Sequence, residues 1–174
     1  VERPLKAWVQ GVNTFLPPSI RVLWAQAVAG EFHARHSALS RRYQYWIINT
    51  PVASALIAGG VTHYPFPLDA AAMHNAAQAL LGEQDFSAFR AASCESRTPM
   101  RNVQRVTVSR HDDFICVDIQ ANAFLLHMVR NIVGSLLEVG SQRRPERWIA
   151  ELLNGRDRKP VSYTHLRAHE TPVN

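Results

Sequence analysis

The stretch RNVQRVTVSRHDDFICVDIQANAFLLHMVRNIVGSLLEVG, Arg101 to Gly140, changes its hydrophobic period partway along, and that change decides the fold. From Arg101 to Arg110 and from Asp113 to Ala121 β-branched residues recur, alternating with polar ones over Val106–Ser109 and Val117–Ala121, with His111-Asp112 between the two runs. A period of two on either side of a short polar pair predicts a β-hairpin. Val106 and Val108 can then share a face with Ile115, Val117 and Ile119. From Phe124 to about Val139 the period lengthens to that of a helix. Leu125, Leu126, Met128, Val129, Ile132, Val133, Leu136 and Leu137 fill one arc; His127, Arg130, Asn131, Gly134 and Glu138 fill the other. Gly140 ends the run.

Working outward, Asp69 is a good N-cap for an Ala-rich helix reaching Leu81, and Gly82 stops it. Ser40 to Thr50 reads as a strand, with Tyr43, Tyr45 and Ile47 on one face and Arg42, Gln44, Trp46 and Ile48 on the other. Ile20 to Val28 is rich in β-formers and reads as another strand. Pro4 to Leu16 suits a short helix stopped by Pro17-Pro18, and Pro145 to Asn154 a further helix. The order helix, strand, strand, helix, two strands, helix, helix predicts an α+β fold, an antiparallel sheet with helices on one face.

The 174 residues are 47% hydrophobic and 19% charged, which excludes wholesale disorder. Nineteen Lys and Arg against 14 Asp and Glu give a formal charge of +5, compatible with a polyanionic partner or with a merely basic protein. Cys94 and Cys116 are too few for a disulfide framework and fit a reducing, cytoplasmic setting. The longest apolar stretch, Ala121 to Gly140, holds His127, Arg130, Asn131 and Glu138, too many polar groups for a membrane span. No membrane association is expected. No phosphate-binding loop, dinucleotide fingerprint or nucleophile elbow is present, so nucleotide cofactor chemistry is unsupported.

Three groups of residues carry chemistry. The polar arc of the long helix is either solvated or looks into a cleft, where Arg130 would offer a planar fork of donors. Between Phe32 and Tyr45, His33, Arg35, His36, Arg41 and Arg42 interleave with Tyr43 and Tyr45. That pattern suits RNA, with cations on phosphates and rings stacked on unpaired bases, and equally suits a sheet edge kept basic against aggregation. His33 and His36 have no third ligand at a zinc spacing, so no metal is expected. Arg90, Arg97 and Arg101 form a third basic group near Phe86 and Phe89.

Phe32-His33-Ala34-Arg35, Arg41-Arg42-Tyr43-Gln44-Tyr45, Asp85-Phe86-Ser87-Ala88-Phe89-Arg90, Arg97-Thr98 and Ala121 to Gly134 together resemble the bacterial tRNA pseudouridine synthase A family. The resemblance runs through Arg158 and implies a pseudouridine synthase fold of two ferredoxin- or RRM-like halves, incomplete here. It implies isomerisation of uridine to pseudouridine at positions 38, 39 and 40 of the tRNA anticodon arm, without cofactor or metal, by a cytoplasmic homodimer. By the same resemblance Tyr43 contacts the target uridine, and Arg130 pairs with a nucleophilic aspartate. Arg35, Arg41, Arg42, Arg90, Arg97, His127 and Asn131 are the remaining substrate-binding candidates. The family's G-R-T-D-A-G-V-H block, which holds the nucleophile, does not occur in this sequence. Gly155-Arg156-Asp157 lacks the rest of that motif. Residues 1–30 are accordingly expected to close an N-terminal half, 31–160 to form the C-terminal cleft half, and 161–174 to be a non-native tail. The sequence reads as a frame cut at both ends, inactive alone. The alternative is a non-catalytic RNA-binding module.

Overall fold

The structure, a computed structural model, describes residues 3–57 and 59–161. Two compact units divide between Ala38 and Leu39; the sequence reading places the boundary at residue 30.

In the first unit, α1 (Leu5–Phe15) is amphipathic, yet none of its residues is buried. Trp8 is 53% exposed, Phe15 91%, Leu23 84% and Trp24 72%. The expected strand over Ile20–Val28 does not form, and the backbone there carries no regular structure. A strand needs another strand to take its N–H and C=O groups, and none is described between residues 3 and 38. Val22 is held by a side chain, its N–H and C=O each 2.8 Å from the side-chain amide of Asn13, and the Ile20 N–H donates to the Pro17 carbonyl at 3.0 Å.

The second unit is a five-stranded sheet with helices on one face. Its elements are β1 (Arg41–Ile48), β2 (Thr62–His63), α2 (Ala70–Ala77), β3 (Gly82–Asp85), β4 (Met100–His111), β5 (Phe114–Ala121), α3 (Met128–Gly140) and α4 (Trp148–Gly155). The strand order is β2-β1-β5-β4-β3. All pairings are antiparallel except β1 with β2. The hairpin forms as read, with Val106 opposite Ile119 and Val108 opposite Val117, and Asp112 turning the corner at φ 51°. Odd-numbered residues of β5, with Val103, Val106, Val108 and Ile47, join Met73, Ile132, Val133, Leu136 and Ile149 in one buried core. The opposite face carries Arg42, Gln44, Trp46, Asp118 and Thr107.

Asp69 caps α2, its carboxylate accepting from the Ala72 N–H at 2.9 Å. The helix tightens into a 3-10 turn at Gln78–Leu80 rather than running on to Leu81. Gly82, at φ +88°, begins the short edge strand β3, which sequence reading missed. The long helix starts at Met128, four residues later than predicted, because His127 takes a left-handed conformation at φ 59°. Gly134, assigned to the polar arc, is buried, and Leu126, assigned to the apolar arc, is 44% exposed.

Candidate functional site

The sheet register assembles the site. Arg41 lies opposite Ala121, so the start of β1 sits beside the end of β5, from which residues 122–127 lead into α3. Strand alternation turns Arg41, Tyr43 and Tyr45 to the helix-bearing face. The loop brings Phe124 and His127 to the same place, and the first turn of α3 adds Val129 and Arg130. Tyr43, Tyr45, Phe124, His127, Val129 and Arg130 line a groove of about 270 Å³. Tyr43 is 49% exposed and meets the Phe124 ring edge-on at 5.2 Å and 73°. The Tyr45 hydroxyl lies 2.6 Å from the Thr62 hydroxyl, tying β1 to β2.

Of the nine sequence candidates, three line this groove: Tyr43, His127 and Arg130. Arg41 shares the Tyr43 face and donates to the Asn122 carbonyl at 3.5 Å. Arg130 is engaged with another group of this chain, so it does not wait unpartnered for an aspartate supplied from elsewhere. Asn131, the next residue on α3, turns inward and donates to the Phe89 carbonyl at 2.8 Å. Arg90 donates to the carbonyls of Cys94 at 2.5 Å and Ser96 at 2.8 Å. Arg97 is exposed on the loop before β4. Arg35 belongs to the first unit.

Arg42 points to the other face of the sheet. Its Nε donates to Asp118 Oδ1 at 2.8 Å while Nη2 donates to Oδ2. The Arg42 hydrogen bonds hold the Asp118 carboxyl below the usual carboxylate range; burial pushes the other way, and Gln44 assists Arg42. Side-chain exposure is 49% for Arg42 and 9% for Asp118. In the basic group Arg90, Arg97 and Arg101, Arg90 and Arg101 meet at Ser96, while Arg97 is exposed. Arg101 is 8% exposed and donates to Ser96 Oγ and to the carbonyls of Thr98 and Met100. Burial raises the Cys94 thiol pKa, but the Leu126 and Ser96 N–H groups and the Arg90 guanidinium outweigh it and set the thiol below its ordinary value.

Sequence reasoning missed Phe124 as a groove wall and Asp118 as a partner. Phe124 sits in the matching motif, where the periodicity places it in the first turn of the helix. The signal for Asp118 was a lone carboxylate alternating with Ile115, Val117 and Ile119, on the face shared with Arg42. Among the described residues no Asp or Glu lines the groove. No three His, Cys, Asp or Glu side chains among them gather as a metal site, and no helix is long and apolar enough to cross a membrane.

Fold and groove together define an α+β protein that presents an exposed aromatic ring and a guanidinium at one end of a sheet. The tRNA pseudouridine synthase family model matches residues 76–172. The tRNA pseudouridine synthase A proteins of Salmonella arizonae and Salmonella paratyphi B are each 60% identical to this chain over 158 residues. That span covers 91% of this chain and 58% of each relative. The chain belongs to the tRNA pseudouridine synthase family, whose members are isomerases.

Proposed function

We propose that this chain forms part of a tRNA pseudouridine synthase that isomerises uridine to pseudouridine at positions 38, 39 and 40 of the anticodon arm. The observation that carries the reading is the groove itself, where Tyr43, Phe124, His127 and Arg130 meet. A half-exposed tyrosine braced by a second ring offers one face to a planar base, and stacking on an unpaired base is worth roughly 1–3 kcal/mol. The target base leaves its stack to reach such a site.

In the reaction an aspartate nucleophile attacks the ribose or the base and the C1′–N1 bond breaks; the uracil turns, C5 bonds to C1′ as the aspartate is released, and C5 gives up its proton while N1 gains one. A guanidinium beside that carboxylate favours its ionised form, which is the nucleophilic one, and this is the role of Arg130. Arg35, Arg41, Arg97 and His127 supply contacts to the RNA. Arg42 faces away from the groove, so no RNA contact is proposed for it. Since no carboxylate lines the groove among the described residues, this chain alone holds RNA without turning it over. The whole enzyme works as a cytoplasmic homodimer.

The test is a chimera in which this chain replaces the matching region of the Salmonella arizonae relative. Tyr43→Ala in that background is expected to lower turnover by orders of magnitude and leave tRNA affinity nearly intact, because many phosphate contacts dominate affinity. Loss of binding with unchanged single-turnover chemistry would remove Tyr43 from the reacting base.

A further inference from the structure

Residues 122–127 form the lip of the groove and belong to no helix or strand. Local hydrogen bonds, such as the Ala123 N–H to the Asn122 side chain at 2.8 Å, fix part of their shape, and contacts from outside fix the rest. The lip also includes a strained residue, His127 at φ 59°, a conformation that side chains other than glycine adopt only under constraint.

Part of the constraint is local, since the Met128 N–H donates to the Leu125 carbonyl at 3.0 Å and closes a turn over Leu126 and His127; the rest comes from a second irregular segment. Both backbone groups of Leu126 are taken by residues 91–94: its C=O accepts from the Ala91 N–H at 3.1 Å, and its N–H donates to Cys94 Sγ at 3.4 Å. The shape of that segment is set in turn by two polar side chains. Arg90 gathers the carbonyls of Cys94 and Ser96 onto one nitrogen, curling the chain between them. Asn131, in the first turn of α3, fastens the Phe89 carbonyl at 2.8 Å. The contacts close a ring: α3 to Phe89 through Asn131, along the chain to Ala91 and Cys94, across to Leu126, and through His127 back to α3. The His127 carbonyl accepts the Asn131 N–H at 2.9 Å, so the ring ends on the residue where it began.

Resting on the tRNA reading of the groove, we propose that Arg90 and Asn131 are positioning residues. They hold the lip in place through the backbone of Leu126 and make no contact with nucleic acid. Removing either side chain leaves carbonyls without their donor and frees the segment that pins Leu126. His127 can then relax, and Phe124 loses its place against Tyr43. A direct phosphate contact would behave differently, because each one removed lowers the salt dependence of binding.

Two measurements on this chain separate these roles. In Arg90→Met, exchange of the Ala91 and Leu126 amide hydrogens is expected to speed up at least tenfold, while the Val117 amide in β5 keeps its wild-type rate. Amide exchange reads local opening apart from global unfolding. In parallel, the slope of log affinity for tRNA against log salt is expected to stay unchanged. A slope reduced by about 0.7–0.9, the value of one lost phosphate contact, would overturn the proposal. Unchanged exchange at Leu126 would overturn it as well. Asn131→Leu is expected to open the same two amides, and it decides the matter if Arg90→Met does not fold. If the wild-type chain binds no tRNA, the RNA reading of the groove fails, and the exchange rates alone still decide whether Arg90 and Asn131 shape the lip.

Discussion

Replacing Tyr43 and Phe124 by leucine, singly and together, tests whether the groove has the shape described. Their rings lie 5.2 Å apart at 73°, an edge-to-face arrangement. Such a pair is worth about 0.5–1.5 kcal/mol beyond the area that the rings bury. Tyr43 is 49% exposed, so its own substitution removes only part of a buried surface, and leucine keeps much of that. The single losses are therefore expected to be modest, and the informative quantity is their non-additivity. The double variant is expected to lose about 1 kcal/mol less than the sum of the two single variants. Urea titration of the four proteins, with shared slopes, measures that coupling. Strict additivity would show that the rings do not touch, and the proposed base-stacking surface would lose its brace.

Asp118 predicts an acid-side loss of stability. Its folded pKa lies below its unfolded value, which is about 3.9 for an aspartate. Its contribution is thus complete above the unfolded value and disappears as pH falls through the folded one. Urea midpoints measured from pH 7 down to 3 are expected to fall less steeply for Asp118→Asn than for the wild type, and equal slopes would contradict the pairing with Arg42. At Gly140 an added Cβ would stand 2.6 Å from Met73 Sδ and 3.2 Å from Leu68 Cδ2. Gly140→Ala is expected to cost about 1–3 kcal/mol through overpacking, and less when Met73→Ala is also present. A melting temperature unchanged in the single variant would refute the close approach of α3 to α2.

The hairpin and the long helix were legible because period alone separates them. Alternation over Val106–Ser109 and Val117–Ala121 could not serve a helix, and spacing from Met128 to Leu137 could not serve a strand. The Asp69 cap was legible because capping is local chemistry. What failed depended on partners distant in sequence. Ile20–Val28 has strand composition, but composition supplies no neighbour to receive its hydrogen bonds. Gly82–Asp85 is too short and polar to show a period, and it is a strand only because β4 lies beside it. The late start of α3 turns on the φ of one histidine, which no pattern announces. At the site, motif resemblance found Tyr43, His127 and Arg130 together. It could not tell inward-turned arginines from outward ones: Arg42, Arg90, Arg97 and Arg101 look alike in sequence and differ only in what each meets.

On the function proposed above, this chain carries the base-holding side of a pseudouridine synthase and needs a nucleophile from the rest of the enzyme. The direct measurement is pseudouridine content at positions 38, 39 and 40 of tRNA incubated with the chain alone and with the Salmonella chimera. The account predicts none with the chain alone and formation with the chimera. Pseudouridine made by the chain alone, or none made by a folded chimera, would contradict it.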